Sequence, residues 1–293
     1  MLALVLASVL WGTTGTAASF LPDAVSPLAV GASTMAVGGI LLFLFSFRLS
    51  VAALRDPVAR RWLLLGAAGV VVYPLAFYSA MDQAGVVIGN VVTLGSGPVF
   101  AAVFEWLLER HRLSIRWVMA TAIAVGGIAL VSTARHTDAA AGKNVTTGIL
   151  LGLLAGLAYA FYTYASSRAI ATGHSGRGAM GGMFGLGAVA LTPVLLVTGA
   201  PLLASPQTIG IAAYLAIGPM FIAYLLFGFG LRDIRSSVAT TVTLIEPLVA
   251  TVLAVVVVGE RLEWTGWVGL GAILAGVAVL VSARQPGKAT RSF

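Results

Sequence analysis

The strongest candidate for chemistry in this sequence is a single carboxylate inside a long apolar segment. Residues 236–262 read SSVATTVTLIEPLVATVLAVVVVGERL, with Glu246 near the middle and Pro247 directly after it. A carboxylate at mid-membrane depth costs about 2.5–3.5 kcal/mol on insertion scales, so it should face a bundle interior or a wet cavity. Two roles stay open for Glu246. It is either a proton carrier or counter-charge for a substrate amine, or a structural cap for the backbone that Pro247 loosens.

Composition places this segment in a membrane protein. The 293 residues are 59% hydrophobic and only 9% charged, too few charges to wet the surface of a soluble domain. Long apolar runs, rather than short alternating segments, predict helices and disfavour a β-barrel. The absence of Cys excludes disulfides and thiolate chemistry. The net charge of +7 includes no basic block interleaved with aromatic residues, so it indicates cytoplasmic loops rather than a nucleic-acid partner.

The hydropathy pattern predicts an all-α polytopic membrane protein with ten transmembrane helices. The first apolar run lacks a preceding basic segment, which favours a span over a signal peptide. The ten predicted spans are residues 2–20, 27–47, 62–81, 84–107, 115–133, 146–168, 178–198, 208–231, 236–258 and 264–283.

Lys and Arg predict the orientation of these spans. With a cytoplasmic amino terminus, only Arg135, Lys143 and Arg261 of the 17 basic residues fall outside. Both termini are therefore predicted to lie in the cytoplasm.

The chain also repeats itself. A shift of 150 residues brings Phe77 onto Phe227, Trp117 onto Trp267 and Gly126 onto Gly276, while Pro98 meets Pro247 after a one-residue slip. Each half holds five spans, and because five is odd, the second half enters the membrane from the opposite side. We predict a first repeat over 1–136, a second, inverted repeat over 144–283, and a short basic cytoplasmic tail over 284–293.

Aromatic and hydroxyl side chains recur on several spans and predict a pocket for an amphipathic solute. Trp11 with Thr14, and Tyr159 with Tyr162, are pairs that share a helix face. Ordinary bundle packing, or an interfacial aromatic belt, is the alternative for any one of them. Pro98 and Pro247 are the predicted hinges. The predicted substrate-binding residues are Trp11, Thr14, Phe77, Tyr78, Asn90, Tyr159, Tyr162, Tyr224 and Thr243.

Several chemistries are excluded by what the spans lack. No Lys or Arg falls in the central part of any span, which disfavours phosphorylated cargo and favours neutral, zwitterionic or cationic solutes. His111, His136 and His174 all fall in loops, so neither an intramembrane Ser–His pair nor a metal site is predicted. No enzyme activity, cofactor or metal is expected. Glu105 is expected to form an interfacial ion pair close to Arg110.

Short motifs carry a family resemblance over nearly the whole chain. They are Leu10-Trp11-Gly12, Glu246-Pro247, Val258-Gly259-Glu260-Arg261-Leu262 and the glycine-rich stretch from Gly266 to Gly276, with Pro98 and Leu108-Glu109-Arg110 as a partial copy in the first half. The chain resembles the drug/metabolite transporter superfamily, in particular EamA-type ten-helix exporters, and its aromatic residues are similar to those of the aromatic amino-acid exporter branch. Ser96 departs from the pattern, because it leaves the first half without a carboxylate matching Glu246.

This resemblance implies an inverted-repeat bundle in the bacterial inner membrane with a central cavity. The expected function is export of small neutral or zwitterionic metabolites, amino acids including aromatic ones, by alternating access. The driving force is the substrate gradient or protons, with Glu246 as the coupling residue in the second case. A broad exporter of drugs and toxic compounds is the alternative within transport, and a non-transporting membrane scaffold is the alternative outside it. The expected partners are the solute, protons and the lipid bilayer. A monomer is expected, with a glycine-mediated dimer as the alternative.

Overall fold

The computed structural model describes residues 1–22, 24–84, 86–110, 113–133, 144–258 and 263–281, and most of them are helical. The helices are α1 (Leu2–Ala18), α2 (Pro27–Phe45), α3 (Phe47–Arg55), α4 (Pro57–Ala84), α5 (Val86–Glu109), α6 (Ile115–Thr133), α7 (Val145–Ala171), α8 (Gly176–Thr198), α9 (Pro206–Leu215), α10 (Ala223–Gly230), α11 (Ser236–Val242), α12 (Ile245–Leu253) and α13 (Trp264–Val281). A 3₁₀ turn (Ala200–Leu203) precedes α9. Two π-helical segments, Ala216–Ile222 and Ala254–Val258, follow α9 and α12.

These helices have the length and composition of membrane spans. Within the described residues, six helical segments are long and apolar enough to cross a bilayer, and the shorter segments Leu2–Ala18, Ile115–Leu130 and Trp264–Val279 are also apolar. Large apolar side chains point outward, as at Val197, which is 84% exposed. Such a surface suits hydrocarbon rather than water. The predicted class is confirmed: this is an all-α polytopic membrane protein.

Helix starts follow local sequence signals. Ser26, Ser175 and Ser205 each accept a hydrogen bond from the backbone N–H three residues later. Proline follows directly after Ser26 and Ser205, where its missing N–H has no cost. Asn144 caps α7 in the same way. These caps fix where the chain turns back into the membrane.

The connection between the second and third predicted spans contains a helix for which no element was predicted from the sequence. This helix is α3, in which Ser50 and Ala53 are buried while Phe47 and Leu49 are exposed. The helix is too short and too charged to span, so only its amphipathic pattern marks it. Asp56 ends it, and the N–H of Val58 and the ring of His174, 3.0 Å away, lower the pKa of this carboxyl group.

Prolines interrupt two of the spans. A π-helical segment surrounds Pro219, and the ninth span breaks between α11 and α12 at Thr243 and Leu244. Pro247 cannot donate to the carbonyl of Thr243 four residues earlier, and the N–H of Glu246 bonds that carbonyl instead at 2.9 Å. The break therefore precedes Pro247 by one turn. By contrast, α5 continues through Pro98.

The two predicted halves interleave. The most extensive contacts join α4 to α7, α2 to α8, α6 to α13, α5 to α7 and α1 to α12, and each pair takes one helix from each half. We call the end of the bundle where α1 begins the amino-terminal face and the other end the opposite face. Side chains that lie between the two halves are therefore at the centre of the bundle.

Candidate functional site

A partly enclosed cavity lies between the helices and extends from the middle of the bundle toward the opposite face. The space open to the centre of a water molecule is about 100 Å³, enough for several waters or part of a small solute. Its walls come from α1, α2, α4, α5, α7, α10, α12 and the π-helical segment at Pro219. The lining residues are Trp11, Thr14, Gly31, Thr34, Met35, Tyr73, Pro74, Phe77, Tyr78, Leu94, Tyr159, Tyr162, Pro219, Met220, Tyr224 and Glu246.

Glu246 is the only charged residue among the described residues that line this cavity. It lies in the first turn of α12, just after the break in the ninth span, and is half-buried. Within the part of the chain that the structure describes, its carboxylate has no hydrogen-bond or ion-pair partner. A carboxylate at mid-span without a protein partner is costly, so its place is suited to an incoming proton or cation.

Close helix packing fixes the depth of this carboxylate. Gly12 of α1 faces α12, and a Cβ at Gly12 would lie 2.6 Å from the Val249 Cβ and 2.9 Å from the Glu246 carbonyl oxygen. Only a glycine allows α1 to approach α12 this closely. The glycine of the Leu10-Trp11-Gly12 motif therefore holds the backbone that carries Glu246.

Aromatic rings of α4 and α7 form one wall. Tyr73 and Phe77 stack with ring centroids 5.6 Å apart, and Phe77 meets Tyr78 edge-on at 5.3 Å. Gly31 leaves room for the Tyr78 ring, since a Cβ there would lie 2.5 Å from its Cε2. No hydrogen-bond partner for the Tyr73 and Tyr78 hydroxyls is found among the described residues. These two hydroxyls remain available to a ligand.

A second aromatic layer closes the cavity toward the amino-terminal face, and we call it the floor. Trp11 packs against Tyr224 at 5.0 Å and Phe227 at 5.2 Å. The hydroxyls of Tyr162 and Tyr224 share a hydrogen bond of 2.8 Å. Tyr159 and Thr243 share another of 2.8 Å, so the floor is tied to the residue at which the ninth span breaks. All six of these residues are nine-tenths buried or more.

The structure brings most of the sequence-predicted residues together. Trp11, Thr14, Phe77, Tyr78, Tyr159, Tyr162, Tyr224 and Glu246 all line the cavity. Thr243 belongs to the floor and bonds Tyr159 without lining the cavity. The side chain of Asn90 lies outside the described residues, as do Gly259 to Leu262 of the last motif. Pro98 and Pro247 lie on α5 and α12 without lining the cavity.

Some lining residues were missed from the sequence. Tyr73, one turn before Phe77 on the same helix face, belongs to the aromatic pattern of the third span but was not among the predicted binding residues. Thr34, Met35 and Met220 belong to no such pattern, because an isolated Thr or Met in an apolar span is typical of any bundle helix.

The carboxylates near the amino-terminal face have a different environment. Glu105 does not form the expected pair with Arg110. It is 2% exposed and accepts hydrogen bonds at the start of α11. Glu109, one turn later, binds Arg168 at 3.2 Å and Arg235 at 3.1 Å. No group of three His, Cys, Asp or Glu in the described ranges is placed to hold a metal ion.

A bundle of apolar helices with a polar-lined cavity between its halves defines the class of membrane transport proteins rather than of receptors with extramembrane domains. The chain belongs to the EamA-like transporter family, whose pattern matches residues 1–133 and 146–282. The expected superfamily is thereby confirmed, and the chain is a transporter of this family.

Similar proteins agree with this assignment. The uncharacterized transporter YwfM of Bacillus subtilis (strain 168) is 30% identical over 97% of this chain and 94% of its own length. The uncharacterized inner membrane transporter YicL of Salmonella typhimurium (strain LT2) is 24% identical over 96% and 94%. One crystal structure has a TM-score of 0.79 at 21% identity, covering 95% of this chain and 94% of the other, which shows a shared fold.

Proposed function

We propose that this transporter exports small amine-bearing metabolites from the bacterial cytoplasm. Its main substrates would be zwitterionic amino acids, including aromatic ones. The observation that carries this proposal is the Glu246 carboxylate, which has no partner among the described residues and lies in a cavity that they otherwise line with aromatic, hydroxyl and apolar side chains. Glu246 would receive the ammonium group of the solute, and the rings of Tyr73, Phe77 and Tyr78 would cover its apolar part.

The charge of the cavity selects against anionic cargo. No Lys or Arg lies among the described lining residues, so a phosphate group would enter without a counter-charge and next to a carboxylate. The carboxylate of a zwitterion needs only hydroxyl donors, and Tyr73, Tyr78 and Thr14 supply these around the cavity. Amino acids therefore fit better than sugar phosphates or nucleotide sugars.

Alternating access is supported by how the helices pair. An inverted repeat pairs each of the first five spans with the span five places later. This symmetry maps α4 onto α10 and α7 onto α1, so the contact of α4 with α7 corresponds to the contact of α10 with α1. The contact of α5 with α7 likewise corresponds to that of α12 with α1. The contacts of α2 with α8 and of α6 with α13 map onto themselves. The two segments that match the family coincide with the predicted halves. This pattern supports an inverted repeat with a cargo site at its axis.

The described arginines at the span ends favour a cytoplasmic amino-terminal face. Arg48, Arg55, Arg168, Arg177 and Arg235 all lie there. On this orientation in the inner membrane, the cavity extends toward the outside and its floor closes the cytoplasmic side. The state described is then the one from which cargo leaves, and a monomer suffices for the whole cycle.

A broad exporter of drugs is the second candidate, and Met35 and Met220 favour it. Both thioethers line the cavity, and Met side chains adapt to ligands of different shape. The two functions differ in cargo breadth while sharing the same site.

The aromatic wall should contribute more to binding than to folding. Tyr78→Ala should weaken the equilibrium binding of phenylalanine to the purified protein by about tenfold or more, since a stacked ring contributes about 0.5–1.5 kcal/mol beyond its buried area. Its melting temperature should change by only a few degrees.

Tyr214→Ala is the matched control. Tyr214 is a tyrosine of α9 that lies outside the central cavity and bonds Thr13 at 2.7 Å. Its loss should leave phenylalanine affinity within twofold of the unmodified protein. Equal affinity losses in both variants, or a large loss of thermal stability without a loss of affinity in Tyr78→Ala, would show that the ring is packing only.

A further inference from the structure

A buried carboxylate outside the cavity joins two helices near the amino-terminal face. The Glu105 Oε1 atom of α5 accepts hydrogen bonds from the Ser236 hydroxyl at 2.7 Å and the Ser237 N–H at 2.9 Å, and Oε2 accepts from the Ser237 hydroxyl at 2.7 Å. Hydrogen bonds to an ionised acceptor are shorter and stronger than neutral ones. The negative charge also lies at the amino-terminal end of α11, where the helix dipole favours it.

The helix held in this way separates the cavity from the amino-terminal face. Every residue of α11 is buried. The Trp117 Nε1–H donates to the Ser237 carbonyl at 3.4 Å, and Thr121 bonds Thr241 at 3.2 Å, so α6 packs on the same short helix. Its far end is the break at Thr243, which bonds Tyr159 of the floor. Moving α11 would therefore open the floor.

Weaker contacts surround this attachment. Glu109 of α5 binds Arg168 of α7 and Arg235 just before α11, and it accepts a hydrogen bond from Tyr164 at 3.2 Å. These side chains are between 27% and 41% exposed except for the buried Tyr164, so each ion pair contributes little by itself. Glu105 is fully desolvated, so its hydrogen bonds should contribute more to holding α11 in place than these ion pairs do.

The attachment has no counterpart in the other half of the sequence. In the alignment that pairs Pro98 with Pro247, Glu105 falls on Ala254, while Ser236 and Ser237 fall on Val87 and Ile88. None of these side chains can form such hydrogen bonds. If the two ends of the transporter close by similar helix contacts, this attachment holds shut only the end at the amino-terminal face.

We propose that Glu105 is a positioning residue that latches α11 shut on the cytoplasmic side and thereby favours the outward-facing state. The proposal rests on the alternating-access function above. Cargo can enter from the cytoplasm only when the three hydrogen bonds to Ser236 and Ser237 break together, and they re-form once the cavity faces outward. In the aligned position of the other half stands Ala254, so opening on the outer side meets no counterpart of this latch.

The chain has no Cys, so single cysteine substitutions report accessibility directly. Ala239→Cys lies in α11 and is buried when the latch is closed, and Thr34→Cys lies in the cavity toward the opposite face. Each is labelled with a membrane-impermeant maleimide, Ala239→Cys from the cytoplasmic side in inside-out vesicles and Thr34→Cys from the outer side. Adding Glu105→Ala should speed labelling of Ala239→Cys about tenfold, which corresponds to about 1.4 kcal/mol. It should slow labelling of Thr34→Cys.

Two further variants complete the design. Glu105→Gln keeps the volume and one acceptor oxygen, so it should shift both rates in the same directions by a smaller factor and guards against a misfolded alanine variant. Asp233→Asn removes an exposed carboxylate of the same face that pairs only with its neighbour Arg232 in the described chain, and it should change neither rate.

Opposite changes at the two reporters support the latch, because a merely structural role for Glu105 would loosen the protein and speed both. Unchanged rates, or faster labelling at both positions, overturn it. Labelling needs no cargo, so the two proposals fail separately. Opposite rate changes without uptake of any solute would refute the transport proposal alone, whereas normal uptake with unchanged labelling would refute the latch alone.

Discussion

Glu246→Gln should lower phenylalanine uptake into proteoliposomes at least tenfold, with or without an imposed pH gradient, because the amide offers no counter-charge to the substrate ammonium group. The amide keeps the volume of the carboxyl group but cannot release or accept a proton. If protons drive export, Glu246 is the group in the cavity that must carry them.

The same variant separates function from structure. A carboxylate without a partner in the described chain costs stability, so Glu246→Gln should leave the melting temperature unchanged or raise it slightly. Asp233→Asn, at an exposed carboxylate that pairs with the neighbouring Arg232, is the control and should leave transport and melting unchanged. A fall of several degrees in Glu246→Gln would identify Glu246 as a structural cap, and an unaltered response to the pH gradient would remove it from coupling.

Gly12→Ala should have the second large effect, on stability and transport together. The new methyl group would lie 2.6 Å from the Val249 Cβ, so α1 and α12 must separate. Overpacking of this kind costs about 1–3 kcal/mol. Because α12 carries Glu246, uptake should fall by more than the loss of folded protein explains.

Gly15→Ala is a matched control on the same helix. A Cβ at Gly15 meets nothing within 4 Å, so the substitution adds only helix propensity, about 1 kcal/mol in favour of the helix. Thermal melting in detergent and uptake at matched protein content check both variants. Similar melting temperatures for the two alanine variants would mean that the approach of α1 to α12 is not what fixes the carboxylate.

The class of fold was predictable from the sequence because spans depend on local hydropathy. Most predicted spans differ from the observed helices by only a few residues, and the caps at Ser26 and Ser205 are local signals. The α3 helix was missed because it lies outside the long apolar runs that predict spans. Its sequence shows only an amphipathic pattern. The break at Thr243 was displaced from Pro247 because a proline disturbs the carbonyl one turn before it.

The cavity was predictable in part. Glu246, Tyr159 and Tyr162 stand out because polar or aromatic residues in mid-span are few, whereas Thr34 and Met220 are unremarkable until the helices are packed. Glu105 was misassigned for a related reason. Its partners, Ser236 and Ser237, are more than a hundred residues away, and charge spacing along one helix favoured Arg110. Contacts between halves depend on the three-dimensional packing.

Uptake into proteoliposomes tests the central claim most directly. The panel is labelled phenylalanine, its deaminated analogue phenylpropionate, threonine, a cationic dye and a sugar phosphate, each with and without an imposed pH gradient. We expect saturable uptake of phenylalanine and threonine, and none of phenylpropionate or the sugar phosphate, because only the amine finds a counter-charge in the cavity. Uptake of the dye alone would favour the broad exporter. Uptake of the sugar phosphate, or a lack of uptake of every solute, would contradict the proposal that the aromatic cavity carries amines bound to Glu246.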